Sequence, residues 1–354
     1  MSIKKNLLIK LKVLSKKILF LLETKTIEPK DKFSMKNFGI IKRLDNIQPS
    51  ISIVDKNEFI KKLLKIFGIQ VEYPFNLKSK IQGIKSINKN LNYSGVLFDE
   101  SYFISYDNLK IPIYILYPPN FDIDGKYPTI VLFSGHGSAK QVAFEVNSYQ
   151  HACGSILAKN GFLVYIMENR GMGKLSYLGN HLRIDAVARI IGGTWYGEIL
   201  TDALWLIENL HNEPNVDEAC IGTAGVSTGG AISMIIASLD ERIAAAYVQG
   251  FLGSYKKTFG TRGSHCLCGH IPNILDLGDM SDIASLIAPR PVLFVNGTKD
   301  SFYTKDADMA FEKIKKYYKN LKAEQNSKFI GPEGIKHEFS VDIALKWFNE
   351  KFKF

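Results

Sequence analysis

Residues 219–230, Ala-Cys-Ile-Gly-Thr-Ala-Gly-Val-Ser-Thr-Gly-Gly, join a strand-like run to a helix-like run through a glycine-rich turn. An apolar, β-like run leads into Gly225-Val226-Ser227-Thr228-Gly229. A run rich in alanine, isoleucine and methionine, Ala231 to Ala237, leads out of it as a helix. A serine at this spacing sits on a sharp strand-to-helix turn, in a strained backbone conformation that lifts its hydroxyl above the sheet. Glycines two residues to either side leave room where a side chain would strike the neighbouring strand or helix. The five-residue pattern alone has low specificity; its place between strand and helix makes Ser227 a candidate nucleophile.

Outward from this turn, short apolar segments alternate with amphipathic ones. The candidate strands are Thr129–Ser134, Phe162–Met167, Ala219–Ala224, Ile243–Gln249, Pro291–Asn296 and Ser327–Ile330. The candidate helices are Asn147–Asn160, Thr194–Leu210, Thr228–Leu239, Lys305–Lys319 and Phe339–Phe352. Two further strands, Val96–Ser105 and Ile111–Tyr117, precede them across a turn at Tyr106-Asp107-Asn108. This alternation predicts an α/β protein with a mostly parallel central sheet and helices on both faces.

A serine hydroxyl is a poor nucleophile until a base removes its proton. Where a serine occupies such a turn, its partners follow in the order acid, then histidine. Of the seven histidines, His265, His270 and His337 follow Ser227. Asp300 follows the first two, which leaves His337 as the base. His337 lies in Gly334-Ile335-Lys336-His337-Glu338-Phe339, a loop between a short strand and the last helix. Asp300 ends Asn296-Gly297-Thr298-Lys299-Asp300, the loop at the carboxyl end of a buried strand, where an open α/β sheet positions functional groups. Asp306 is the second choice of acid, read instead as a helix N-terminal residue. Gly135-His136-Gly137 ends another strand, and the backbone N–H groups of His136 and Thr228 are the expected oxyanion donors. Arg170, in Asn169-Arg170-Gly171-Met172-Gly173-Lys174, is read as a brace. His265-Cys266-Leu267-Cys268-Gly269-His270 crowds four ligand types into six residues, closer than the paired spacings of zinc sites, and is read as a loop covering the pocket. No metal and no cofactor are expected.

The composition, 46% hydrophobic and 23% charged, is that of a globular protein. The net charge of +10 is uneven: residues 1–90 hold 20 Lys plus Arg against 7 Asp plus Glu, and the remainder 25 against 28. The near-neutral body excludes a nucleic-acid reader. The expected organisation is a basic, partly helical extension over residues 1–90, with a second helix near Glu58 to Phe67, and a catalytic domain over 91–354. Residues 4–23 read as a basic amphipathic helix, a surface for packing, for a peripheral membrane contact or for a homo-oligomer contact. Lysines interrupt the early apolar residues, so neither a membrane span nor a secretory signal is expected, and four cysteines make no disulfide framework; a cytoplasmic location is expected.

From about residue 95 to 352 the chain resembles the α/β-hydrolase superfamily, in its dienelactone-hydrolase and acetyl-xylan-esterase-like branch. The resemblance rests on Gly135-His136-Gly137, Arg170-Gly171-Met172-Gly173, Gly225-Val226-Ser227-Thr228-Gly229-Gly230 and His337-Glu338. It rests further on Asp279-Met280-Ser281-Asp282-Ile283-Ala284, Ile287-Ala288-Pro289-Arg290-Pro291 and Asn296-Gly297-Thr298-Lys299-Asp300. It implies an α/β-hydrolase fold and hydrolysis of a small acyl ester, such as acetyl on a sugar or glycan. Met172 and Thr228 stand where the sugar-deacetylase type carries glutamines, and Ser227 stands where dienelactone hydrolases carry cysteine. A serine peptidase of the prolyl-oligopeptidase type and an acyltransferase on the same fold are the alternatives.

Overall fold

The structure, a computed structural model, describes residues 43–44, 55–260, 265–300 and 305–352. The chain divides into two compact units, residues 1–46 and 47–354. Of the first, Arg43 and Leu44 are described, both helical. The amphipathic helix expected over residues 4–23 lies outside the described residues. Among those described, no helix is long and apolar enough to cross a membrane.

The second unit holds a nine-stranded sheet in the order β1-β2-β3-β5-β4-β6-β7-β8-β9. The strands are β1 (Lys85–Tyr93), β2 (Val96–Ile104), β3 (Lys110–Leu116), β4 (Tyr127–Phe133), β5 (Leu163–Met167), β6 (Val216–Val226), β7 (Ala245–Gln249), β8 (Val292–Val295) and β9 (Ser327–Ile330). The β1–β2, β2–β3 and β3–β5 pairs are antiparallel, and the five pairs from β5 through β4 to β9 are parallel. The main helices are α1 (Lys56–Phe67), α2 (Ala139–Phe144), α3 (Cys153–Lys159), α4 (His181–Ile190), α5 (Trp195–Leu210), α6 (Thr228–Leu239), α7 (Met280–Ser285), α8 (Lys305–Asn320) and α9 (Val341–Phe352).

Strand periodicity explains the layers. Val131 and Phe133 of β4 point into one core with Ile199 of α5, Ile235 of α6 and Ile314 of α8. Ile130 and Leu132 of the same strand point into a second core with Val142 of α2, Leu157 of α3 and Phe348 of α9. Both faces of the parallel strands are therefore covered, which is why their sequences read as unbroken apolar runs. This is the α/β-hydrolase architecture.

The structure refines the expected elements. The helix expected over Asn147–Asn160 begins at Cys153, and α2 precedes it, started by a capping box in which Ser138 and Gln141 satisfy each other's backbone N–H groups. The boundary expected between residues 90 and 91 falls inside β1, an edge strand whose residues are exposed almost throughout. α1 buries Phe59, Ile60, Leu63, Leu64 and Phe67 in the first core. Asp55 caps its start, accepting from the N–H groups of Asn57 (2.8 Å) and Glu58 (3.2 Å), and Gly68 at φ +73° ends it. The Thr194 hydroxyl donates to the Phe67 carbonyl at 2.8 Å, fastening the end of α1 to the start of α5.

Close approach at the β6–α6 turn accounts for its glycines. A Cβ on Gly225 would strike the backbone of Gly229, and one on Gly229 would land on the carbonyl oxygen of Phe133 at the end of β4. Backbone cannot rotate aside as a side chain can. Gly229→Ala is therefore expected to lower stability by about 1–3 kcal/mol, read as a fall in the urea midpoint at unchanged slope.

Candidate active site

Ser227 stands between the last residue of β6 and the first of α6 with φ +63° and ψ −128°. That conformation is unfavourable for a side chain bearing a Cβ. Its neighbours hold it there: the Ser227 N–H donates to the Gln249 carbonyl at 2.9 Å, and its own carbonyl accepts from Ala231 at 3.0 Å, opening α6. α6 directs the positive end of its dipole at the turn.

His337 and Ser227 line the same cavity, of about 230 Å³, whose wall includes Tyr196, Phe251 and Phe259. The Nδ1–H of His337 faces both oxygens of Asp300, at 3.0 and 2.9 Å. The Asp300 side chain is fully buried, while that of His337 is about a third exposed. The loops carrying these two residues are joined by backbone bonds, Thr298 N–H to the Pro332 carbonyl (3.1 Å) and Lys299 N–H to that of Ile335 (2.9 Å). Asp306 lies in the first turn of α8, where it pairs with Lys257 at 2.6 Å.

Two residues that the sequence did not mark, Tyr149 and Gln249, flank His337 and its loop. Tyr149 stacks against its imidazole with centroids 6.1 Å apart. Burial pushes the Tyr149 phenol up to about 12. The Gln249 amide donates to the Ser340 hydroxyl (2.9 Å), and its oxygen accepts the Ser340 N–H (2.7 Å), so the residue that holds Ser227 also anchors the chain just beyond His337. Glu338 pairs with His151 at 2.9 Å, and that bond holds its carboxyl below the usual range. A glutamine in a strand of buried apolar residues was the available signal for Gln249.

The Thr228 N–H opens α6 beside Ser227. Glu168, buried, fixes the loops on either side by accepting from the N–H groups of Ala139 (2.9 Å) and Lys174 (3.0 Å). Arg170 is the brace its position implied. Its Nε and Nη2 donate to Asp202 at 2.7 and 2.8 Å and its Nη1 to Asp107 at 2.6 Å, its ring of contacts completed by Glu198 at 3.2 Å. Its carbonyl receives the indole N–H of Trp195 at 2.8 Å. Arg170→Ala leaves Asp202, with only 1% of its side chain exposed, without its cation. The expected cost is about 3–5 kcal/mol, measured as a shift of the urea midpoint.

From the loop 265–270, His265, Cys266, Cys268 and Gly269 line the cavity. His270 closes the loop on itself, with Nε2 2.8 Å from the Phe259 carbonyl and Nδ1 3.2 Å from that of Leu267. Cys266 and Cys268 meet two histidines from elsewhere in the chain, His136 and His181. The hydrogen bond from Cys268, with further help from His136 and His181, holds the Cys266 thiol below its ordinary value despite burial.

Known proteins share this architecture. A Bacteroides fragilis protein assigned as an acetyl xylan esterase superposes with a TM-score of 0.69 at 16% identity, over 88% of this chain and 93% of that one. Acetyl xylan esterase 1 of Thermoanaerobacterium sp. JW/SL YS485 superposes with a TM-score of 0.57 at 19% identity, over 88% and 98%. Dipeptidyl-peptidase 5 of Porphyromonas endodontalis is 27% identical over 121 residues, 34% of this chain and 16% of the relative. The chain spans well under half the length of the curated relatives it matches. Residues 85–265, half of the chain and including the whole β6–α6 turn, match the acetyl xylan esterase (AXE1) family, and the chain belongs to that family.

Proposed function

We propose that the chain hydrolyses small acyl esters through a serine, histidine and aspartate triad. Ser227 Oγ attacks the acyl carbonyl and His337 takes its proton. Asp300 keeps the imidazole in the tautomer with Nδ1 protonated and stabilises its cationic form. The developing oxyanion takes the N–H of Thr228 and that of His136. The alcohol departs with the proton from His337, and water, activated by the same imidazole, releases the acyl group from Ser227. The observation that carries this reading is a serine held at φ +63° in the same cavity as a histidine whose Nδ1–H meets a buried carboxylate.

The cavity and the family support the choice of substrate class. About 230 Å³ walled by Tyr196, Phe251 and Phe259 suits an acetyl or similarly short acyl group, being smaller than the ~300–1,000 Å³ of drug-sized sites. A sugar or glycan hydroxyl is the alcohol part that family membership favours. The match to a dipeptidyl-peptidase favours, as a second reading, cleavage of a peptide amide on the same triad.

Fluorophosphonate labelling of the purified chain tests the proposal, with the adduct located by mass spectrometry. An adduct on Ser227, with p-nitrophenyl acetate turned over faster than longer esters and than amide substrates, is the expected result. A folded chain that takes no label and cleaves no ester would refute it, and preferential amide turnover would establish the peptidase reading. Acyl transfer to an added alcohol in place of hydrolysis would make it an acyltransferase.

A further inference from the structure

His136, His181, Cys266 and Cys268 come from three separate places in the fold: the β4–α2 loop, the first residue of α4, and the loop covering the cavity. One ligand atom from each lies within 4.8 Å of every other. The His136 Nε2 is 3.3 Å from Cys268 Sγ, and the His181 Nε2 is 3.1 Å from Cys266 Sγ. Four ligands on one zinc ion, at about 2.3 Å for sulfur and about 2.0–2.1 Å for nitrogen, stand about 3.3–3.8 Å from one another when tetrahedral. The four side chains are thus gathered to within a small adjustment of that spacing.

The surroundings are those of a metal centre also in the next layer of contacts. The other nitrogen of His136, Nδ1, lies 3.1 Å from the Thr228 hydroxyl, so a proton on Nδ1 leaves the Nε2 lone pair facing the sulfurs. Trp195 packs against both imidazoles, at 5.9 Å from the His136 ring and 5.1 Å from that of His181, and is itself fixed through its indole N–H. Two thiolates and two neutral imidazoles also cancel the charge of a divalent cation, which suits a half-buried position. The sequence run 265–270 concealed this, because two of the ligands lie outside it and His265 and His270 are not among them.

We propose that His136, His181, Cys266 and Cys268 bind one zinc ion, a closed four-ligand site that ties the loop over the cavity to the β4–α2 loop and to α4. Two sulfurs and two nitrogens in a tetrahedron select zinc among the common divalent ions. With no ligand position left for water, the ion is structural, and it shapes the cavity wall next to Ser227 without entering the ester chemistry.

The full chain, purified and dialysed against excess Zn²⁺ and then against metal-free buffer, is expected to retain about one zinc per chain by elemental analysis. Cys266→Ser and His181→Ala are each expected to reduce the retained zinc at least tenfold, roughly the scale of lost ligation. Ser227→Ala is expected to retain it in full, so this site and the ester reading fail or stand separately. Should the ligand variants not fold, alkylation of the unaltered chain decides: zinc is expected to protect Cys266 and Cys268 from iodoacetamide, and a strong chelator to expose both, with Cys220 unchanged. A folded chain that retains no zinc, or variants that retain as much as the parent, or thiols equally reactive with and without zinc, would overturn the assignment.

Discussion

Ser227→Ala is expected to lower kcat for p-nitrophenyl acetate by roughly 10⁶-fold, the scale seen when a serine nucleophile is removed from a complete triad. In the proposed mechanism the loss is large because the variant removes the atom that would form the acyl bond, while the proposed oxyanion donors and the cavity remain. A residual rate about 10³–10⁴-fold over water is therefore expected to persist from those groups alone. The variant is also expected to fold normally. Alanine at φ +63° bears the same Cβ strain as serine, and the bonds from the Ser227 backbone to Gln249 and Ala231 use no side-chain atom. Unchanged far-UV circular dichroism with kcat reduced is the required pair of results. A variant that keeps even a tenth of the parent rate would remove Ser227 from the mechanism.

Asp300→Asn is expected to reduce kcat about 10⁴-fold with KM little changed. An asparagine in this buried position presents an amide N–H₂ to the imidazole. It favours the tautomer with its proton on Nε2, the nitrogen that must instead be free to accept from Ser227. The volume is unchanged, so packing is not the cause. Asp306→Asn serves as the comparison: Asp306 was the other acid in reach of the sequence argument, and its partner in the structure is Lys257. Its substitution is expected to leave kcat unaltered. Fluorophosphonate labelling rates should fall for Asp300→Asn and hold for Asp306→Asn. The opposite pattern would exchange the two roles.

How much of this was legible in the chain depends on how local each signal is. β4, β5, β7 and α6 were legible because a strand covered on both faces, or a helix buried all round, is apolar along its whole length. The β6–α6 turn was legible because backbone-to-backbone approach at Gly225 and Gly229 excludes every other residue. β1 was not, since KSINKNLNY is exposed at an edge and carries no apolar alternation, and neither was α4, which buries little beyond Asp185 and Ala188. The place of Asp300 next to His337 followed from chain order, whereas Gln249 and Tyr149 act through contacts of high sequence separation that no local pattern encodes. The four zinc-type ligands are the extreme case. Cys266 and Cys268 were visible as a pair, but His136 lies 130 residues before Cys266, and only the folded chain brings them together.

Gln249 has a consequence for precision. Its carbonyl fixes the Ser227 turn and its amide fixes Ser340, three residues past His337. The proposed nucleophile and base are thus gauged from one common datum in β7 and not from opposite ends of a tolerance chain running through β8, β9 and their loops. Sliding or flexing at the β8–β9 edge would carry little error into the distance between the two reacting atoms.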